Sequence, residues 1–291
     1  MIQNLNNLLS KITGLMVVKA SIDLRGITDD PIHAYYLANS NSMILNLDVN
    51  KGGEFLYSDY KNNSISPYYQ AARKVRIIDG IDGQSLKNEI SKIFNKYAEL
   101  VNITDANELI DLEGINNKHQ KSESIWKWAL PWESVDIDKR AIKRIENIRY
   151  ENKRYGLNSD LSLIQCGVGH KKIEVETERL LNVALSIIKK GYITDVDDMI
   201  TVNVYTNDAD YVWRVIGGMH RAAILAALGR EFIPVKVNTI IRRSDVSGWP
   251  GVVSGIYSKD SALKLFDNIF NAQSPSAFKA WQKWLLKYNS I

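Results

Sequence analysis

The residues of this chain best suited to chemistry stand together at Gly217-Gly218-Met219-His220-Arg221. A run of apolar and aromatic residues at 211–216 precedes them, and an alanine-rich segment at 220–228, closed by Gly229, follows. The pattern predicts a strand that passes through a glycine turn into a helix. Glycines at such a junction let the backbone turn steeply, and the first N–H groups of the helix, with the positive end of its dipole, face an anion. His220 and Arg221 would add side-chain donors there, and a guanidinium can grip two phosphate oxygens at once. Ala222, Ala223, Ala226 and Ala227 are small enough to let the helix press closely on a sheet. By itself the motif is equally compatible with a plain turn, a packed histidine and a solvated arginine, because short glycine patterns recur by chance.

Other candidates lie around it. Lys171, Lys172, Glu174, Glu176 and Glu178 stand ahead of and at the start of an amphipathic pattern at 176–190, in which Leu180, Leu181, Ala184, Ile187 and Ile188 recur at three and four residues. Acidic residues also favour a first helical turn simply through the dipole. Asp195, Asp197 and Asp198 read more readily as a polar turn than as a cation site, and the Asp-Gly-Ile-Asp-Gly stretch at 79–83 lacks the later ligands of a calcium loop, so no metal ligands are assigned. His170 is a lone histidine, and Arg242, Arg243 and Asp245 read as exposed. Trp126, Trp128 and Trp132 could stack on a sugar or a base, but nothing polar converges on them, which favours docking of a connector.

These residues need a scaffold, and the composition supplies one. The chain has 291 residues, 45% of them hydrophobic, and 37 Lys plus Arg against 33 Asp plus Glu leave a formal charge of +4, too mild to imply nucleic acid or an anionic membrane. With one cysteine, Cys166, and four histidines, a disulfide framework and a multi-cysteine zinc site are excluded within one chain. No apolar run is long enough to span a bilayer, and a cytoplasmic location is expected. Helices are predicted at 4–16, 85–100, 136–155, 176–190, 220–228, 261–270 and 276–288, and strands at 42–47, 74–78, 161–166, 199–205, 211–216 and 233–237. The expected class is α/β, of mixed α+β character. Four segments are expected: a mixed α/β domain over 1–104, a connector with the tryptophan cluster and a charged helix over 105–158, a second domain that carries the glycine turn over 159–240, and a helical extension over 241–291.

The turn carries a resemblance. Residues 217–229, followed by Ile233-Pro234-Val235, resemble the signature of the ParB/sulfiredoxin superfamily, and Ser186-Ile187-Ile188-Lys189-Lys190-Gly191-Tyr192 resembles the end of that superfamily's first helix. The likeness covers 161–238. It implies a ParB/sulfiredoxin-like fold whose turn (Gly217, Gly218, Met219, His220, Arg221) binds the phosphates of ATP or CTP with Mg²⁺. It further implies that Lys171 or Lys172 compensates charge and that Glu174 or Glu176 acts as base in phosphoryl transfer. Met219 replaces the reactive cysteine of sulfiredoxins, which excludes thiol repair. The free-serine kinase branch has Asp-Gly-His-His-Arg, matched at Gly218, His220 and Arg221, with Gly217 and Met219 in place of the aspartate and first histidine. The segment at 240–270 is similar to ParB-like proteins encoded among bacterial surface-polysaccharide genes, which implies a sugar or glycan precursor as acceptor. The expected function is an ATP-dependent kinase of a small hydroxyl acceptor, a sugar, glycan precursor or amino acid. The alternatives are a slowly hydrolysing nucleotide switch that binds DNA or a protein partner, and a glycan-binding module.

Overall fold

Short apolar runs, several of them buried on both faces, build the sheet that positions the turn. The computed structural model describes residues 21–39, 41–54, 57–61, 64–75, 83–110, 125–159, 161–163, 168–194 and 198–289. In chain order the elements are β1 (Ile22–Asp23), α1 (Pro31–Ala38), β2 (Met43–Asp48), β3 (Gly52–Gly53), α2 (Pro67–Val75), α3 (Gly83–Leu100), α4 (Ala106–Ile110), α5 (Ile137–Arg154), α6 (His170–Lys190), β4 (Thr201–Thr206), β5 (Tyr211–Gly217), α7 (Met219–Ala227), β6 (Phe232–Arg242), α8 (Pro250–Val253), α9 (Lys259–Phe270) and α10 (Lys279–Tyr288). The six strands form one mixed sheet in the order β1-β2-β6-β4-β5-β3. β2 with β6 and β4 with β5 run antiparallel, whereas β4 with β6 runs parallel.

The two-residue period of the strands sorts the faces. Val202 opposite Val215 and Val204 opposite Trp213 share one face, buried throughout. Tyr60 lies against both Trp213 and Tyr69 of α2, so this face meets the helical layer in which α2, α3, α6 and α7 pack on one another. Tyr205 and Arg214 point the other way. The buried Arg214 guanidinium donates to the Ile269 carbonyl of α9 at 2.6 Å, and Tyr205 meets the edges of Trp132 and Phe266. Connector and tail are latched together on that side: Tyr257 donates to the Ala129 carbonyl at 2.5 Å, and the Gly251 N–H to the Pro131 carbonyl at 2.8 Å. Trp128 is buried with the Arg144 guanidinium 3.8 Å from its ring centre, so the tryptophans dock the connector.

Several expectations are met and others corrected. The stripe Leu86, Ile90, Ile93, Phe94 and Tyr97 is the buried face of α3, and Asp136 caps α5 by accepting from the Lys139 N–H. The strand expected at 74–78 is not formed where it is described: Lys74 and Val75 close α2, with Val75 buried. The strand expected at 161–166 is irregular over 161–163. α6 begins at His170, so Lys171, Lys172 and Glu174 lie within its first turns and not ahead of it. β6 extends well past 237, because it pairs first with β2 through Phe232–Val237 and then with β4 through Lys236–Arg242. Strands from the 1–104 and 159–240 segments therefore share one sheet, and the buried apolar residues form one continuous cluster. The helix expected at 4–16, residues 79–82, Cys166, Asp195 and Asp197 lie outside the described residues. No helix among the described residues is long and apolar enough to cross a membrane.

The edge pairing of β3 with β5 depends on a missing side chain. A Cβ on Gly52 would stand 2.2 Å from the fully buried Trp213 ring, whose indole N–H is fixed by the Asp48 carbonyl at 2.8 Å. Gly52→Ala is expected to lower unfolding stability by about 1–3 kcal/mol in urea denaturation; a change below about 0.5 kcal/mol, the scatter of ordinary surface substitutions, would contradict this packing.

Candidate functional site

The turn forms where β5 ends. Gly218 has φ 84°, in the left-handed region, and a Cβ there would also stand 3.2 Å from Ile200 Cγ1 and 3.3 Å from an Arg221 terminal nitrogen. Both facts favour glycine. Gly218 supplies no side-chain cap, and the helical ladder begins only with the Ala222 N–H donating to the Gly218 carbonyl at 3.1 Å. The N–H groups of Met219, His220 and Arg221 accordingly have no partner among the described residues, and all five residues of the turn are partly exposed. Ala222, Ala223, Ala226 and Ala227 are buried, as their size requires.

Beside the turn lies a compact cluster of charge. Glu176 is 2% exposed, on the same buried stripe of α6 as Ile173, Leu180, Ala184 and Ile187. Its Oε2 is 3.0 Å from His220 Nε2, and its Oε1 accepts from Lys172 Nζ at 2.7 Å and from Arg179 at 3.1 Å. Lys172 also donates to Asn152 Oδ1 at 2.7 Å, and Asn152 Nδ2 donates to the Ser159 and Leu161 carbonyls. The Tyr68 ring meets the His220 ring edge-on at 4.7 Å, and Arg179 lies over Tyr155 at 4.9 Å. Burial pushes the Glu176 carboxyl up, but His220, Arg179 and Lys172 together outweigh it and hold its pKa at about 2. In the buried part of the cluster, two permanent cations and an imidazole meet a single carboxylate; Glu151 approaches Arg179 at 3.8 Å only from the solvent side.

The sequence candidates thus separate. Glu176, Lys172 and His220 come together at the turn, and Met219 packs against the core. Arg221 extends to Asp198, which is 81% exposed, pairing at 2.6 Å and also donating to its carbonyl. Glu174 and Lys171 face outward, Glu174 with its nearest partner His170 at 3.9 Å. Arg242 and Arg243 pair elsewhere, with Asp208 and Asp267. Arg179, Asn152 and Tyr68 are additions. Arg179 was signalled by its place one turn beyond an acid on an apolar stripe; Asn152 and Tyr68 carry no sequence signal. A concavity of ≈ 340 Å³, lined by Arg149, Lys153, Leu157, Asn158 and Ser159, opens near the Asn152 end of the cluster and does not include the turn. Among the described residues no three His, Cys, Asp or Glu side chains are grouped to hold a metal ion.

A second buried carboxyl behaves oppositely. Glu54 is 2% exposed, accepts from the Ser66 hydroxyl, and its Oε1 has no hydrogen-bond partner among the described residues, so burial raises its pKa to about 8. The two acids give stability opposite pH slopes. Glu176 falls from an ordinary 4.5 to about 2 on folding, so its contribution is complete above the unfolded value and is lost as pH drops from 4.5 through 2. That contribution is on the order of 3 kcal/mol. Glu54 rises from 4.5 to about 8, so between these values the native state binds the extra proton and stability declines as pH rises. Glu54→Gln is expected to flatten the decline between pH 5 and 8 in urea midpoints measured across pH; an unaltered slope would show that Glu54 is ionised in the fold. No protein-family model, curated protein or solved structure matches the chain.

Proposed function

We propose that this chain binds a nucleoside triphosphate, ATP or CTP, on the Gly217–Arg221 turn and transfers its terminal phosphoryl group to a small hydroxyl acceptor such as a sugar, glycan precursor or amino acid. The observation that carries the reading is the first turn of α7: three N–H groups without partners, no cap, partial solvent access, and His220 and Arg221 on either side. The cluster behind it holds more cations than its one buried carboxylate balances, which favours an incoming anion. Arg221 can be released at little cost, because its pair with Asp198 is exposed on the aspartate side and such pairs contribute about 0–1 kcal/mol. Lys172 lies within the cluster, one helical turn before Glu176 and paired with it at 2.7 Å, and adds positive charge; Lys171 faces solvent. Mg²⁺ would be held mainly by phosphate oxygens and water, since the described residues offer no ready cage for it. The motif resemblance to the ParB/sulfiredoxin superfamily points the same way.

A non-catalytic nucleotide switch is the second reading, favoured by one observation: Glu176, the best-placed carboxylate, is already engaged by Lys172, Arg179 and the His220 ring and is a poor proton acceptor. Two measurements decide. Arg221→Ala should weaken calorimetric affinity for ATP or CTP roughly 10–100-fold, as expected for losing a hydrogen bond between charged groups; unchanged affinity would refute the site. Phosphorus NMR of the protein with Mg²⁺, ATP and serine or hexoses should reveal a phosphomonoester product. Nucleotide binding without that product, joined to steeply salt-dependent DNA binding, would establish the switch instead.

A further inference from the structure

We propose that Glu176 and His220 form a carboxylate–imidazole dyad in which His220 Nδ1 takes the proton of the acceptor hydroxyl, while Glu176 positions the ring; this rests on the phosphoryl-transfer reading above. The motif resemblance implies His220 as phosphate ligand and Glu176 as base; here the base is His220, and Glu176 becomes the residue that positions it.

The geometry argues as follows. Glu176 Oε2 stands 3.0 Å from His220 Nε2, and Oε1 is occupied by Lys172 at 2.7 Å and Arg179 at 3.1 Å. A 2% exposed carboxylate so engaged has neither access to an acceptor nor a reason to hold its proton. It can accept an N–H. With Nε2–H donated to Glu176, Nδ1 carries the free lone pair of the neutral imidazole. Nδ1 has no hydrogen-bond partner among the described residues. The Tyr68 ring, edge-on at 4.7 Å, restricts the imidazole from α2, and the His220 side chain stays 11% exposed beside the unpartnered N–H groups of α7. A buried carboxylate that fixes the tautomer and steadies the imidazolium formed during reaction is the division of labour known from Ser-His-Asp hydrolases. The low proton affinity of Glu176 keeps it an anion at every pH where a histidine can act as base.

The step balances within the named reactants. The acceptor hydroxyl gives its proton to Nδ1 as its oxygen bonds to the γ-phosphorus. The bond from that phosphorus to the β-phosphate oxygen breaks, and its electron pair leaves with the nucleoside diphosphate. The imidazolium is offset by Glu176 and later returns the proton to solvent. Among the described residues, Glu176 of α6 and Tyr68 of α2 touch the His220 ring, Lys172 and Arg179 reach it through Glu176, and Arg221, next in the chain, pairs with Asp198.

The test uses the full chain and two independent readouts. In ¹⁵N-histidine NMR, with four histidines in all and His220 assigned by His220→Gln, the neutral ring should show Nε2 protonated and Nδ1 bare. A protonated Nδ1 would overturn the dyad whatever the nucleotide does. In turnover with ATP and water as acceptor, His220→Gln should lower the rate at saturating ATP by about 10²–10⁴-fold while ATP affinity stays within about threefold. Weakened affinity with turnover preserved would make His220 a phosphate ligand, overturning the dyad but not the nucleotide site. A wild-type chain that binds neither ATP nor CTP would remove the reaction itself, and with it the role assigned to Nδ1.

Discussion

A carboxylate taken out of water must be repaid in charge and hydrogen bonds, and at Glu176 that requirement organises the helical layer. Two of its partners are local, Lys172 four residues before it and Arg179 three after, the spacings that bring side chains together on one helix face. The third is not. His220 reaches Glu176 from the first turn of α7, forty-four residues on, and Tyr68 closes on His220 from α2. Lys172 extends the network to Asn152 of α5, which in turn holds the chain at Ser159 and Leu161. One anion therefore sets the register of four helices. Stranding a buried charge by removing its one partner costs about 3–5 kcal/mol, and the shared coordination of Glu176 spreads that cost over three side chains.

Glu54 shows that burial alone does not fix a carboxyl's state. It is as buried as Glu176, yet among the described residues its only donor is the Ser66 hydroxyl, so desolvation prevails and the acid is held largely in its neutral form near pH 7. The nearby Tyr60 hydroxyl is likewise buried without a partner and kept protonated by burial. Cations are what Glu54 lacks. The comparison isolates the contribution of Lys172, Arg179 and His220: with them an interior carboxylate is a fixed negative charge, and without them it is a neutral polar group in the core.

Much of this was legible where period and punctuation agree. The α3 stripe, the strand–glycine–helix turn and the tail helices follow from spacing that tertiary contacts reinforce. The failures have physical causes. Lys74 and Val75 carry strand-like letters, yet they continue a helix that starts at Pro67 and buries Tyr69, Ala71 and Ala72. Charged residues at 171–174 looked like a solvated lead-in, whereas they belong to α6: Lys171 and Glu174 lie on its outer side, and Lys172 turns in to Glu176 beside the buried Ile173. That β6 bridges β2 and β4 could not be read from the sequence, since strand pairing over such a separation leaves no local signature. Glu176 could be told from Glu174 by the stripe it shares with Ile173 and Leu180; the contact with Tyr68 could not be read at all.

The turn ends a strand packed on both faces, and of its two charged side chains one is held in a buried cluster and the other pairs with an exposed partner. β5 is flanked by β4 and β3, its far face is sealed by Arg214 on the Ile269 carbonyl, and Trp132, Trp249 and Phe266 pack edge and face beneath it. His220 is fixed by the buried cluster. Arg221 alone answers to an exposed partner, Asp198, and an exposed pair is weak where a buried one is strong. An anion arriving at the α7 N-terminus would therefore exchange the Asp198–Arg221 contact for its own without disturbing Glu176. Affinity would then vary with salt and with Arg221, while the alignment of the imidazole would be set by folding and left unchanged by binding.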